Sequence, residues 1–318
     1  MAALIAVTML AVTAIKNEYI FFAGYVVLQY VVLATAWNIL GGYTGYVNFG
    51  VAAFFGLGAY ISVALFQETG FPLIVQILAA AVVSGLLGFG TGLLTLRLRG
   101  IFFSIATVGV AIILETVVRN VVGSSGIQIL RPPAMAPFES YTKMLFTFMG
   151  LLAVVAVAIA RYVETSWIGR GLRAIRDNEE AAACCGVSTL KLKLFACVVS
   201  GALMGAAGAM LPMYQSYIEP ASTFDLNYTV SALAMAIIGG TSHFLGPVIG
   251  AVLLGSIEQI VTVTISSELN VLVIGVLLVL FVVAAPEGVL GIIGRRRRNQ
   301  AALAPKQAAD KVKAGRAL

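Results

Sequence analysis

Apolar residues fall along this chain in long unbroken blocks, not in the alternating or one-faced patterns of a water-soluble domain. A bilayer core about 30 Å thick takes roughly 20 apolar residues as a helix. Backbone amides inside it must be paired within the segment, so blocks of that length predict spanning helices. Ten blocks can be read: 2–15, 19–40, 46–66, 72–96, 101–122, 143–161, 193–212, 227–240, 246–265 and 270–290. The first is short, but it has no basic leader and no small-residue cleavage site before Lys16, so it reads as a retained helix and not as a signal peptide. The eighth is also short, and the GGTSHFLGP that follows is either a connection or a re-entrant stretch. The expected fold is an all-α polytopic membrane protein of about ten transmembrane helices, eight at the fewest.

Composition agrees and excludes the alternatives. Of 318 residues, 60% are hydrophobic and 11% charged, against about 45–50% and 25% for soluble domains. A mean hydropathy of +1.00 also excludes disorder. The net charge of +6 is unevenly placed. Residues 295–318 hold eight basic residues and one acid, leaving 12 basic against 13 acidic residues before them. The basic excess is therefore a tail, suited to anionic lipid headgroups, and not a nucleic-acid face. Lys and Arg accumulate in cytoplasmic loops. With the tail inside, alternation puts Arg97, Arg99, Arg161, Arg170, Arg173, Arg176, Lys191 and Lys193 inside, and Lys16, Arg131 and Lys143 outside. Both termini are then cytoplasmic. The expected division is a permease domain, 1–294, containing a cytoplasmic loop at 162–193, and the tail 295–318.

Chemistry is sparse. None of the seven lysines follows a glycine, so the Gly-Lys-Ser/Thr of a P-loop is absent. One histidine, His243, and no nucleophile–base pair leave little for hydrolysis. Cys184, Cys185 and Cys197 are an odd set in a reducing compartment, which argues against disulfides, and no metal spacing occurs. Transport, conduction or scaffolding remain, with no cofactor bound by this chain.

The longest polar loop between blocks contains SWIGRGLRAIRDNEEAAACCGVSTLKLK. Leu172, Ile175, Ala182 and Ala183 recur at near-helical spacing, Arg173/Asp177 and Arg176/Glu180 are i,i+4 pairs, and Gly186 suits a helix stop. The loop reads as one short amphipathic helix, with Ala181–Ala183 as a smooth face that a partner's cleft could approach.

Glu180-Ala181-Ala182, three residues and Gly186 resemble the EAA-x3-G loop by which ABC importer permeases engage their ATPases. The surrounding WIGRGLRAIRDNEEAAACCGV resembles the coupling region of LivM-type branched-chain amino-acid permeases. LATAWNILGGYTGYVNFGVAAFFGLGAY (33–60), LRLRGIFFSIATVGVA (96–111), ALAMAIIGGTSHFLGPVIGAVLLG (232–255) and APEGVLG (285–291) are similar to the same family. The resemblance implies an ABC importer permease of type II-like architecture in the bacterial inner membrane, driven by ATP hydrolysed in partner subunits. It implies a second, LivH-like permease subunit or a self-dimer, two cytoplasmic ATPases and a periplasmic substrate-binding protein docking on outer loops such as 123–142 and 213–226. ATPase contact would fall on Gly169, Arg170, Arg173, Asp177, Glu179, Glu180, Ala181, Ala182 and Gly186. Departures from the family pattern, such as Val51 after Gly50 where a histidine is common, bear on cargo. Urea, amides or aromatic acids stay open beside branched-chain amino acids. An ATP-independent secondary transporter and a scaffold are the other readings of the residues.

Small-x3-small spacings at Gly88/Gly92, Gly201/Gly205 and Gly246/Gly250 predict close helix contacts. Ionisable groups within spans are costly and point to function by default. Glu115 and Arg119 form an i,i+4 pair in the outer half of the fifth block, and Glu258 requires a cavity, an interface or another helix. With Asn38, Asn48, Ser104 and Thr107 they are the candidates for the translocation path.

Overall fold

The computed structural model describes residues 18–98, 100–129 and 140–264, with isolated positions between 272 and 291. The expected first span, 2–15, and the tail lie outside the described residues, as does most of the tenth, 270–290. The described residues open with α1 (Glu18–Trp37), which passes into one π-helical turn (Asn38–Gly42). There follow α2 (Val51–Thr69), α3 (Leu73–Thr95), α4 (Ile101–Val122), β1 (Ile127–Gln128), α5 (Tyr141–Thr165), α6 (Trp167–Asp177) and α7 (Glu179–Cys184). The order ends with α8 (Thr189–Gly208), α9 (Leu211–Gln215), β2 (Tyr217–Ile218), α10 (Pro220–Thr223), α11 (Leu226–Gly239) and α12 (Gly246–Thr264).

Among the described residues, six helices are long and apolar enough to cross a bilayer: α1 with its π turn, α2, α3, α4, α5, and α8 run on through α9. The 14-residue α11 and 19-residue α12 bring the apolar helices among the described residues to eight. The connections after α1, α3, α5 and α11 gather at one end, which carries Arg161 to Lys193 and is called the basic end below. At the opposite end β1 pairs antiparallel with β2, Ile127 against Ile218 and Gln128 against Tyr217.

Helices meet where the glycines fall. A Cβ at Gly58 would stand 2.1 Å from the Gly205 carbonyl oxygen, and one at Gly208 only 1.9 Å from that of Phe55, so α2 and α8 touch backbone to backbone. Gly88 of α3 and Gly201 and Gly205 of α8 do the same across α3 and α8. Gly239, Gly246 and Gly250 let α11 and α12 close into a tight hairpin. All three predicted spacings therefore lie at contacts, as expected in lipid, where apolar surface gives helices no reason to associate and close packing must supply it. Residues 240–245 form the turn of that hairpin.

Three expectations need correction. The third block begins as a helix at Val51, not at 46, because residues 45–50 are unwound. The 162–193 loop holds two helices, broken at Asn178, instead of one. Residues 213–226 are not simply an outer loop, since Met213, Ile218, Thr223 and Phe224 are buried. At 1.5 Å per residue α11 is only about 21 Å long. The segment before it packs in at the opposite end, where the Phe224 ring fills the space that a side chain at Gly56 would need.

Candidate functional site

In α6, Gly169, Leu172 and Ile175 recur every third residue and are buried, while Arg170, Arg173, Arg176 and Asp177 are exposed. A Cβ at Gly169 would lie 2.2 Å from the Val163 carbonyl oxygen, so only glycine lets α6 fold back under α5. Asn178 then breaks the helix with an extended backbone, and its side-chain oxygen accepts from the amides of Glu180 and Ala181 (3.0 and 3.1 Å), capping α7. Gly186, at φ +83°, ends α7, with Val187 N–H donating to the Ala182 carbonyl (3.1 Å). Ala182 is buried, and Glu180, Ala181, Ala183, Cys184 and Cys185 are exposed. The two helices thus present Arg170, Asp177, Glu180 and a small alanine face outward.

Most of the loop's other charges turn back into the protein, while Lys191 stays exposed. Arg173 donates to the Glu164 carbonyl (3.0 Å) and Arg176 to the Gly42 carbonyl (2.6 Å). Lys193, only 3% exposed, spends its three N–H donors on Glu179 Oε1 (2.7 Å), Tyr46 Oη (3.1 Å) and the Leu96 carbonyl (3.2 Å). Tyr46 donates to Glu179 Oε2 (2.6 Å) and lies under the Lys193 ammonium, 4.6 Å from its ring centroid. Glu179 therefore faces the protein interior instead of projecting outward with its neighbours. Beside this cluster, Tyr43 donates to Glu164 Oε2 (3.3 Å), which also accepts from the Phe244 amide (2.5 Å) of the α11–α12 turn. Burial first, and the Glu164 charge second, push the Tyr43 hydroxyl well above the usual tyrosine range, so it remains a donor.

Residues 45–50 are unwound against α4, and several of their backbone groups, with the first amides of α2, meet side chains. Trp37 Nε1 donates to the Asn48 carbonyl (2.8 Å), and Gly50 N–H donates to Asn48 Oδ1 (2.8 Å). Ser104 Oγ donates to the Val47 carbonyl (2.8 Å), Phe49 N–H to Thr107 Oγ1 (3.0 Å), and Ala52 N–H to Thr229 Oγ1 (3.2 Å). Because Ser104 and Thr107 lie one to two turns into α4, this segment enters the span, where an unpaired amide costs several kcal/mol, roughly. Asn48, Ser104 and Thr107 thus hold broken backbone. A small cleft opens beside it, lined by Asn48, Gly50, Thr91, Thr95, Phe103 and Thr107 among others. Asn38 is buried in the π turn, where Gly42 leaves room for its amide.

Glu115 and Arg119 form their ion pair on α4, with side chains 26% and 48% exposed. Glu258 is 8% exposed on α12 and accepts from Tyr30 of α1 (3.5 Å), the other helix it needed.

The family model "Branched-chain amino acid transport system / permease component" matches residues 19–282. The chain belongs to this permease family. It is 25% identical over 289 residues to the LivM permease of the high-affinity branched-chain amino acid transport system of Salmonella typhimurium, covering 82% of this chain and 67% of that one. It is 22% identical to the corresponding LivH permease of Escherichia coli, covering 82% and 91%. Its fold is similar to that of a metal-chelate type ABC transporter solved in an inward-facing conformation, with a TM-score of 0.51 at 16% identity over 89% of this chain and 97% of that one. The permease's sequence gave no direct sign of Tyr46, Trp37, Glu164 or Thr229 as site residues, and Lys193 registered there only as a charge. The available signal was the run GGYTGYVNFG, whose glycines and asparagine favour turns over helix.

Proposed function

We propose that this permease is the membrane-spanning subunit of a bacterial ABC importer for branched-chain amino acids, embedded in the inner membrane with its basic end and both termini in the cytoplasm. The observation that carries this reading is the outward face of α6 and α7. Arg170, Asp177, Glu180 and a flat alanine patch are held rigidly by a buried glycine, an asparagine cap and a left-handed glycine stop. Two partner ATPases would dock there, supplying ATP chemistry that this chain lacks. The excess of Lys and Arg at that end supports the orientation.

A second permease subunit, LivH-like or a second copy, would cover α4. That helix buries only Phe103, Thr107, Ala111 and Val118 against its own bundle, and it leaves Glu115, Thr116, Arg119 and Asn120 on or beside its outward face. Lipid is a poor cover for that polar row. An aqueous path between two subunits suits it, with Glu115–Arg119 near the outer mouth. A periplasmic binding protein would dock on the opposite end around β1 and β2, and would select the cargo.

The test is ATP-driven leucine uptake by proteoliposomes holding the full complex. Glu180 is exposed, so Glu180→Lys should leave folding intact yet abolish uptake, as should Gly186→Arg. Normal uptake by a well-folded Glu180→Lys complex contradicts the assignment.

A further inference from the structure

The unwound segment joins two parts of the permease that otherwise have little contact. At its lower end Tyr46 closes a half-buried triad with Glu179 of α7 and the buried Lys193 of α8. Close by, Arg176 of α6 holds the Gly42 carbonyl, and its aliphatic stem packs under Gly45, where a Cβ would lie 3.3 Å from Arg176 Cγ. The outward-facing loop thus grips 42–46 at two points, one from each of its helices. At the upper end Ser104 and Thr107 of α4 hold the Val47 carbonyl and the Phe49 amide, and Thr107 in turn donates to the Ser104 carbonyl (2.8 Å). The Tyr46 ring itself stands edge-on to Phe103 of α4, with centroids 5.2 Å apart. Helix α4 packs on its own bundle mainly through α2, α3 and α10, and far less extensively than the central helices pack on one another. A displacement of α6 and α7 therefore reaches the lower half of α4 most directly through this segment.

We propose that residues 43–50 are a transmission strap: the Glu179–Lys193–Tyr46 triad passes movement of the α6–α7 loop into the strap, and Ser104 and Thr107 pass it on to α4. The inference rests on reading α6–α7 as the ATPase-engaging loop. The physical reason for a strap here is stiffness without regular structure. An unwound segment can shift in register as a helix cannot, but this one is pinned at both ends by charge-assisted or backbone hydrogen bonds, so a pull at one end is not lost in slack. The triad is suited to be its anchor because a lysine this deeply buried cannot leave its carboxylate without stranding a charge. Tyr46, Lys193, Ser104 and Thr107 are positioning residues in this scheme, acting on α4 and not on cargo.

The test uses the complete complex in nanodiscs and proteoliposomes, with ATPase content, hydrolysis rate, unfolding midpoint and uptake per ATP measured on the same preparations. Tyr46→Phe keeps the ring and its contact with Phe103 but loses the bond to Glu179. Thr107→Val keeps the shape and loses the bond to Phe49, and Ser104→Ala is a milder cut at the same end. Each should still fold and assemble, with a lowered unfolding midpoint, and should retain its ATPase subunits and hydrolysis. Uptake per ATP should nevertheless fall about five- to 150-fold, the usual range for coupling between sites. Because both bonds lie in one series, the Tyr46→Phe/Thr107→Val double variant should be no worse than the poorer single. Unchanged uptake per ATP in Tyr46→Phe, or losses that multiply in the double, overturns the strap. Failure of the underlying reading is distinguishable: Glu180→Lys would then keep both its ATPases and its uptake, whatever the strap variants do.

Discussion

Lys193 is the residue whose setting was hardest to foresee. In the sequence it is one of several loop cations, yet folding takes it to 3% exposure against Glu179, Tyr46 and a carbonyl, while its neighbour Lys191 stays in the open. The two lysines give an internal contrast. Lys193→Ala strands Glu179 beside Tyr46 and should destabilise the protein by about 2 kcal/mol, below the full cost of breaking a buried pair because Glu179 keeps some access to water. Lys191→Ala should stay within about 0.5 kcal/mol of the parent. Denaturant unfolding in detergent measures both, and equal effects would contradict the account of the triad. Asn48, Ser104 and Thr107 show the same limit. They were legible as polar residues in apolar surroundings, but their bonds to the unwound backbone depend on a neighbouring helix that no local pattern announces.

At the scale of elements, the apolar blocks were read well wherever length decided the matter. Block 101–122 matches α4 residue for residue, 72–96 comes within a residue of α3 at each end, and α12 begins at 246 as expected. Errors arose where turn chemistry competes with apolar content. Tyr46, Val47 and Phe49 look like helix, but Gly45 at φ +77° and the Asn48 bond to the Gly50 amide hold the chain open until Val51. Asn178 likewise divides what its apolar spacing joined. Asn178→Ala removes the cap of α7 and should cost about 1 kcal/mol, confined to that helix. Hydrogen exchange should show faster exchange at the amides of Glu180 and Ala181, with α6 unchanged, and weaker ATPase binding should accompany it. Unchanged exchange at those two amides would mean that the cap does not hold α7 in place.

For the whole molecule, the segregation of charge already implied a bundle with one basic end, and the structure gathers the corresponding connections together there. The sequence could not reveal how unevenly the helices are buried. α8 is almost enclosed by its neighbours, whereas α4 lies at the edge with an ion pair on it. If a second permease covers that edge, Ile112→Cys, on the exposed face of α4, should cross-link to a partner cysteine under oxidation in membranes, while Leu86→Cys on α3 should not. Cross-linking at Leu86 and none at Ile112 would place the interface elsewhere.

The central claim is that α6 and α7 hold the ATPases that drive this permease. The most direct measurement is the amount of ATPase subunit that co-purifies with the tagged chain under mild detergent, compared between the parent and Glu180→Lys at equal permease yield. The account predicts a stoichiometric ATPase complement on the parent and its loss from the variant. A parent that brings no ATPase, or a variant that keeps all of it, would contradict the claim.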